Sequence, residues 1–236
     1  MLRTLIAVSV VALLPVSALG HGDVAPQPVD TDALPDIGEE WLEENPYRAE
    51  AVGEEIWAAA IAIGASGYNQ NCARCHGLEV VSGGLAPDLR YLEANIDGDE
   101  WYAERYIHGY TQNGITKMPA FGELLGQKAG WAIRTYIETR PDDGALDDYA
   151  DTLKGIRDDL KAKAEAIAGG ADYASVSGEV EAHVAALREM VGNIATASGA
   201  PVADSAVSRA LVDLNGTADG VKAAVDTLTI GLSAAQ

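Results

Sequence analysis

With 236 residues, 48% of them apolar, and a formal net charge of −20, the chain is long enough for one or two domains with a real core. Acids outnumber bases 22 to 8 over residues 21–144 and 14 to 7 beyond. This excludes nucleic acid and anionic lipid as natural partners and favours partners with basic patches, on which association slows as salt rises.

Residues 1–20 read as a secretory leader. Arg3 precedes an apolar run from Leu5 to Leu14, and Ala18-Leu19-Gly20 supplies the small residues of a cleavage site before His21. The run is too short to span a bilayer, and no later segment approaches the necessary length. The mature chain is therefore expected in the periplasm without a membrane span. Its first residue, His21, has the amine-plus-imidazole arrangement that chelates copper, but no second histidine matches it, and an ordinary chain terminus is the simpler reading.

Residues 21–53 carry four prolines and the acidic run Glu39, Glu40, Glu43 and Glu44, interrupted by Trp41 and Leu42, and are expected to form an extended arm. From Glu54 the pattern turns helical, with Ile56, Ala59, Ala60 and Ile63 on one face. Residues 77–97 are loop-like. Asp97 or Asp99 then caps a second predicted helix through Tyr106 and His108. A further loop holds Met118-Pro119. A third helix is predicted over about 123–139, with Leu125, Ala129, Ala132, Ile133, Tyr136 and Ile137 on one face before Pro141 stops it. Together these define a domain over residues 54–144.

Beyond Ala145 aromatics nearly vanish, and three heptad-like stretches follow: Leu146 to Ile167, Val180 to Ile194, and Val207 to Leu228, separated at Gly169-Gly170 and Gly199–Pro201. The expected fold is all-α, with residues 145–236 forming an appended helical hairpin or three-helix bundle. Its one histidine, His183, reads as a surface residue. Docking, stabilisation and association of copies through these helices are the roles such a pattern allows.

The chemistry concentrates at Cys72-Ala73-Arg74-Cys75-His76, the C-x-x-C-H pattern of covalent haem attachment. Two thiols three positions apart can each add to one vinyl group of a haem, and the next imidazole then serves as an axial iron ligand. A redox dithiol needs a βαβ context, and a zinc site needs a second pair of ligands; neither is evident. Of three methionines, Met118 is the candidate sixth ligand, since Met1 leaves with the leader and Met190 lies in the heptad region. His108 is its rival, and a core role for Met118 is the plain alternative.

From His76 to Phe121 the chain resembles class I cytochromes c: the haem turn, then Gly84-Leu85-Ala86-Pro87-Asp88-Leu89, then Met118-Pro119-Ala120-Phe121. The resemblance implies that Pro87 supplies the carbonyl that accepts the proximal histidine's other ring N–H. His21-Gly22-Asp23-Val24, Gly38-Glu39-Glu40-Trp41, Asn45-Pro46-Tyr47-Arg48 and Ile63 to Asn71 further resemble PedF-type periplasmic cytochromes, over about residues 21–140. Membership there implies one haem c and no catalysis of its own. It also implies a PQQ-dependent alcohol dehydrogenase as electron donor and a downstream cytochrome or terminal oxidase as acceptor. An iron with an open sixth position, as in a small-ligand sensor, is the rival expectation, and an assembly role for the tail is a third. Ile107, Leu89, Phe121, Trp131 and Tyr136 are the expected apolar shell.

Overall fold

A computed structural model describes residues 25–234; the expected leader and His21 lie outside them. Helix α1 (Ala49–Asn71) runs directly into α2 (Ala73–His76), and α3 (Ile96–His108), α4 (Gly122–Glu138), α5 (Ala150–Ala168), α6 (Ser177–Val191), α7 (Ala206–Asp213) and α8 (Ala218–Ala234) follow. Between α3 and α4 the strands β1 (Tyr110–Gln112) and β2 (Ile115–Met118) pair antiparallel. The segment expected as a loop around Met118 is thus half hairpin, its turn made by Asn113 and Gly114, both at positive φ. The fold is otherwise all-α, as the resemblance implied, and no helix among the described residues is long and apolar enough to cross a membrane.

Two apolar cores form. The first gathers Leu34, Tyr47, Ala60, Tyr68, Leu89, Tyr102, Tyr106, Phe121, Trp131 and Ile133 with their neighbours, and the second gathers tail residues from Leu153 to Leu232. The first rests on the crossing of α1 and α4. The buried face of α1 is Ala60, Ile61, Gly64, Gly67 and Tyr68, displaced from the predicted face of Ile56, Ala59, Ala60 and Ile63. The displacement has a cause in size: a Cβ on Gly64 would lie 2.0 Å from the Ala132 carbonyl oxygen, so the helices meet where the smallest residues stand, and the larger Ile56 and Ile63 sit half-buried at the margin.

The N-terminal arm is docked. Asn45 donates its backbone N–H to Asp99 at 2.8 Å and its side-chain amide to Thr135 and Glu138. Arg48 bridges Asp99 and Glu138, and the fully buried Arg134 pairs with Asp99 at 2.8 Å. Asp99, expected as a helix cap, is therefore the buried partner of two arginines, and the cap of α3 is Asn95, whose side chain accepts from the Gly98 N–H. The buried oxygens of Asp99 are thus met by the Asn45 N–H and by both guanidinium groups, so they are not left without partners.

In the tail the third heptad stretch is two helices rather than one. Gly216 takes positive φ, and the Thr217 hydroxyl accepts from the Gly220 N–H at 3.0 Å, which starts α8 afresh. A strap over residues 194–205 then crosses the end of α4. The Glu138 carbonyl accepts from the Ser198 hydroxyl, the Thr139 carbonyl from the Asp204 N–H, and the Asp142 N–H donates to the Ala195 carbonyl. The last carbonyls of a helix have no partner within it; here the tail supplies one of them.

Gly64→Ala is expected to force α1 and α4 apart and to lower stability by about 2 kcal/mol, in the range of overpacked cores. Gly155→Ala, on an exposed face of α5 with open space around it, should instead raise stability by about 0.5–1 kcal/mol. Chemical denaturation of the two variants measures both.

Candidate functional site

Helix α1 delivers the C-x-x-C-H motif. Its C-cap is Cys72, and the bonds from the Cys75 and His76 N–H groups to the Cys72 carbonyl, at 3.1 and 3.0 Å, fold the motif into a helical turn. That turn ends at Gly77, where φ is 85° and an added Cβ would lie 1.8 Å from the Val81 carbonyl oxygen. Only glycine lets the chain turn back so sharply. The Tyr68 hydroxyl holds the turn from behind by donating to the Gly77 carbonyl at 2.8 Å.

The chain then returns toward His76. The imidazole is buried, and its Nδ1 lies 2.9 Å from the Pro87 carbonyl oxygen. A carbonyl oxygen only accepts, so Nδ1 carries the proton and Nε2 keeps its lone pair in the neutral ring. A hydrogen bond of this kind orients a metal-binding imidazole and raises its basicity. Asp88 secures the neighbouring backbone by accepting from the Ser82 N–H, the Arg90 N–H and the Arg90 guanidinium. Between Gly77 and Pro87 the backbone is strained: Glu79 and Val80 take φ of 53° and 66°, each at a cost on the order of 1–2 kcal/mol. Val80 is fully buried, and Glu79 pairs with the buried Arg140 at 2.9 Å.

The two cysteines differ. Cys75 is exposed, whereas Cys72 packs against the cluster that contains Tyr68, Tyr102 and Tyr106. Burial, with a smaller contribution from Cys75, pushes the Cys72 thiol up to about 12. Redox dithiols work by the opposite shift, toward the thiolate. Among the described residues no group of three or more His, Cys, Asp and Glu side chains is placed to hold a metal ion.

Met118 ends β2, half-buried against the same cluster as Cys72. His108 is the last residue of α3 and is exposed. Of the expected shell, Leu89, Phe121, Trp131 and Tyr136 are buried, and Ile107 is half-buried. Sequence reasoning missed Tyr68, Asp88 and Arg140, which act on the motif only through the backbone turns that bring them to it; Gly77 after the histidine was the one local signal of such a turn.

A haem fits these residues. The Nε2 of His76 is left with a free lone pair, and Met118 offers a soft thioether. Four large apolar side chains stand more than half exposed on the segments that carry these groups: Leu78 and Leu85 between His76 and Pro87, Ile115 and Leu124 on either side of Met118 in sequence. Apolar surface left in water at that density is costly, and an apolar macrocycle is the kind of group that would cover it.

Comparison with known proteins agrees. The family described as Cytochrome C oxidase, cbb3-type, subunit III matches over residues 59–137. Cytochrome c550 of Pseudomonas aeruginosa is 52% identical over 122 residues, which is 52% of this chain and 82% of that protein. Quinohemoprotein alcohol dehydrogenase ADH IIB of Pseudomonas putida is 30% identical over 97 residues, 40% of this chain but only 14% of that protein. No solved structure matches the chain.

Acid is expected to loosen the Pro87 loop. Desolvation raises the Asp88 carboxyl, but hydrogen bonds from Arg90 and Ser82 outweigh it and hold the group below its ordinary value. The stability it contributes is thus present above the unfolded value of about 4 and is lost as pH falls through the lower folded value. Asp88→Asn should flatten that acid limb when stability is followed by denaturation from pH 6 down to about 3.

Proposed function

This chain belongs to the cytochrome c family and carries covalently bound haem c, and from that premise we propose a periplasmic electron carrier with one haem. It takes electrons from a quinoprotein alcohol dehydrogenase and passes them toward the respiratory chain. Cys72 and Cys75 would hold the haem by thioether bonds, and His76 and Met118 are the residues that would ligate its iron. The observation that carries this reading is the His76 Nδ1–Pro87 oxygen bond of 2.9 Å, which leaves Nε2 as the only ring atom free for iron.

The haem iron supplies the redox chemistry by cycling between Fe(III) and Fe(II). The chain's own residues set the conditions. The Pro87 carbonyl fixes the tautomer and orientation of His76, and Phe121 and Leu89, both buried, help keep water from the site. With His76 and Met118 both on the iron, no ligand position would be left for oxygen or peroxide, and the protein would transfer electrons without transforming a substrate. Periplasmic placement rests on the leader-like residues 1–20.

The donor assignment draws on the second relative. That protein's name joins a quinone, a haem and an alcohol dehydrogenase, and 97 residues of this chain align with part of it. A haem unit fused to such a dehydrogenase in one protein is matched in function by a separate carrier that docks on one. The family matched over residues 59–137 is named for an oxidase, which supports a terminal oxidase as one acceptor. An acidic surface meeting a basic rim accounts for steering.

Stopped-flow mixing of the ferric protein with a PQQ alcohol dehydrogenase turning over ethanol should give fast, saturable reduction whose rate falls steeply as salt rises. No reduction with haem intact would overturn the donor assignment, and reduction indifferent to ionic strength would overturn steering. Met118→Leu should abolish the far-red ferric band of sulfur ligation and let cyanide bind at neutral pH. His108→Leu should leave both unchanged; a wild type that lacks the band, with cyanide admitted by His108→Leu and not by Met118→Leu, would transfer the sixth ligand to His108.

A further inference from the structure

The tail reaches the haem-bearing loop through a closed set of charges. The guanidinium of Arg140, buried just beyond α4, donates Nη1 to Glu79 at 2.9 Å and Nη2 to Asp204, and its Nε to the Tyr136 carbonyl at 3.0 Å. Its plane lies 4.0 Å over the Tyr136 ring. Asp204, in the strap, also accepts both Nε and Nη2 of Arg209 from α7, at 2.9 and 2.8 Å. Arg209 in turn stands 3.9 Å from Glu79. Two cations and two carboxylates therefore alternate around a ring that joins three segments: the loop after the C-x-x-C-H motif, the end of α4, and the tail.

The location of Glu79 gives the ring its consequence. It is three residues after His76, it takes positive φ together with Val80, and its loop ends at the Pro87 carbonyl that holds His76. Strained backbone persists only where its surroundings impose it. From one side Tyr68 imposes it through Gly77; from the other Arg140 does, and the direction of Arg140 is fixed by Asp204 of the tail. We propose that the C-terminal helical unit is a brace on the haem, in which Asp204 and Arg140 act as positioning residues that set the iron's potential through the Glu79 loop. This rests on the haem-site reading above. It assigns the tail a redox role within one chain in place of an assembly role.

The test is potentiometric titration of full-length holoprotein. Taking one carboxylate from the ring leaves its cations in excess on the Glu79 loop, which favours Fe(II), so Asp204→Asn and Glu79→Gln should each raise the equilibrium constant for reduction about threefold, or about 28 mV at 59 mV per tenfold for one electron. Arg140→Met leaves two carboxylates without their shared cation and should lower the constant by a similar factor, and Arg140→Lys should recover most of that loss. If the ring transmits, the Asp204→Asn/Glu79→Gln double variant departs from the product of the single effects by about twofold or more, since coupled contacts are not additive.

A tail that merely anchors would lower the melting temperature in these variants and leave every potential within about 1.5-fold of wild type, and that result overturns the brace. Should Arg140→Met fail to fold, the two carboxamide variants and their double carry the same decision. A pyridine haemochrome spectrum of the wild type is recorded first. Lack of two thioether links there defeats the haem-site reading, whereas intact links with unmoved potentials defeat the brace alone.

Discussion

The contact on which the rest of the structure depends is the crossing of α1 and α4 at Gly64. Two helices come closer than any side chain would permit, and three consequences follow from that one approach. The C-terminus of α1 is fixed, and with it the start of the cysteine turn. The stretch of α4 beyond its break at Gly126 is fixed, and ahead of that break Phe121 donates its N–H to the Tyr106 carbonyl at 2.8 Å and closes the hairpin that bears Met118. The C-terminus of α4 is fixed as well, which places Arg140 between the loop after His76 and the tail. The candidate site needs groups from all three places, so a shift at the crossing is felt at each.

Electrostatics divides between the inside and the surface. The arginines at 48, 90, 134 and 140 are half to fully buried, and each has a buried or half-buried carboxylate partner, Asp99 for Arg48 and Arg134, Asp88 for Arg90 and Asp204 for Arg140. Removing one partner of such a pair leaves an uncompensated buried charge, at a cost of about 3–5 kcal/mol, which is why these pairs pin the arm, the Pro87 loop and the tail so firmly. Because these four cations are matched by carboxylates, the surface keeps the strongly acidic balance of the whole sequence. Exposed cations of the haem unit include Arg74, inside the C-x-x-C-H motif, and Lys117, beside Met118. The field around the molecule is therefore negative at large, with two positive points beside Cys75 and Met118.

Much of this was legible in the sequence, and the reasons for success and failure are physical. The C-x-x-C-H motif and the proline loop are local patterns whose chemistry lies within a dozen residues, so they read directly. The end of α4 was marked by Pro141, and the tail's apolar faces by their spacing. The buried face of α1 was misplaced because hydrophobic periodicity weights large side chains, while the contact is made by glycines. Asp99 looked like a cap because acids favour first turns; its two arginines stand 35 and 51 positions away in the chain. The break between α7 and α8 was overlooked although Asn215-Gly216-Thr217 is a turn followed by a capping residue, because the heptad pattern runs through it. The strap over residues 194–205 has no periodicity to read, since its bonds go to the ends of other elements.

An electron carrier must hold nearly the same arrangement around iron in both oxidation states, because any group that relaxes when the charge changes adds to the barrier for transfer. Helices supply that rigidity for His76, which follows directly on α1. They do not supply it for the segment from Gly77 to Pro87, which contains only a single 3-10 turn and strained residues at 79 and 80. Loops of this kind are the low-stability end of a protein unless tied at several points. Here the ties are Tyr68 on Gly77, Arg140 on Glu79 and Asp88 on Ser82, and the second of these is completed only by Asp204 of the tail. A helical unit far away in sequence thereby stiffens the one stretch near His76 that its own helices leave free.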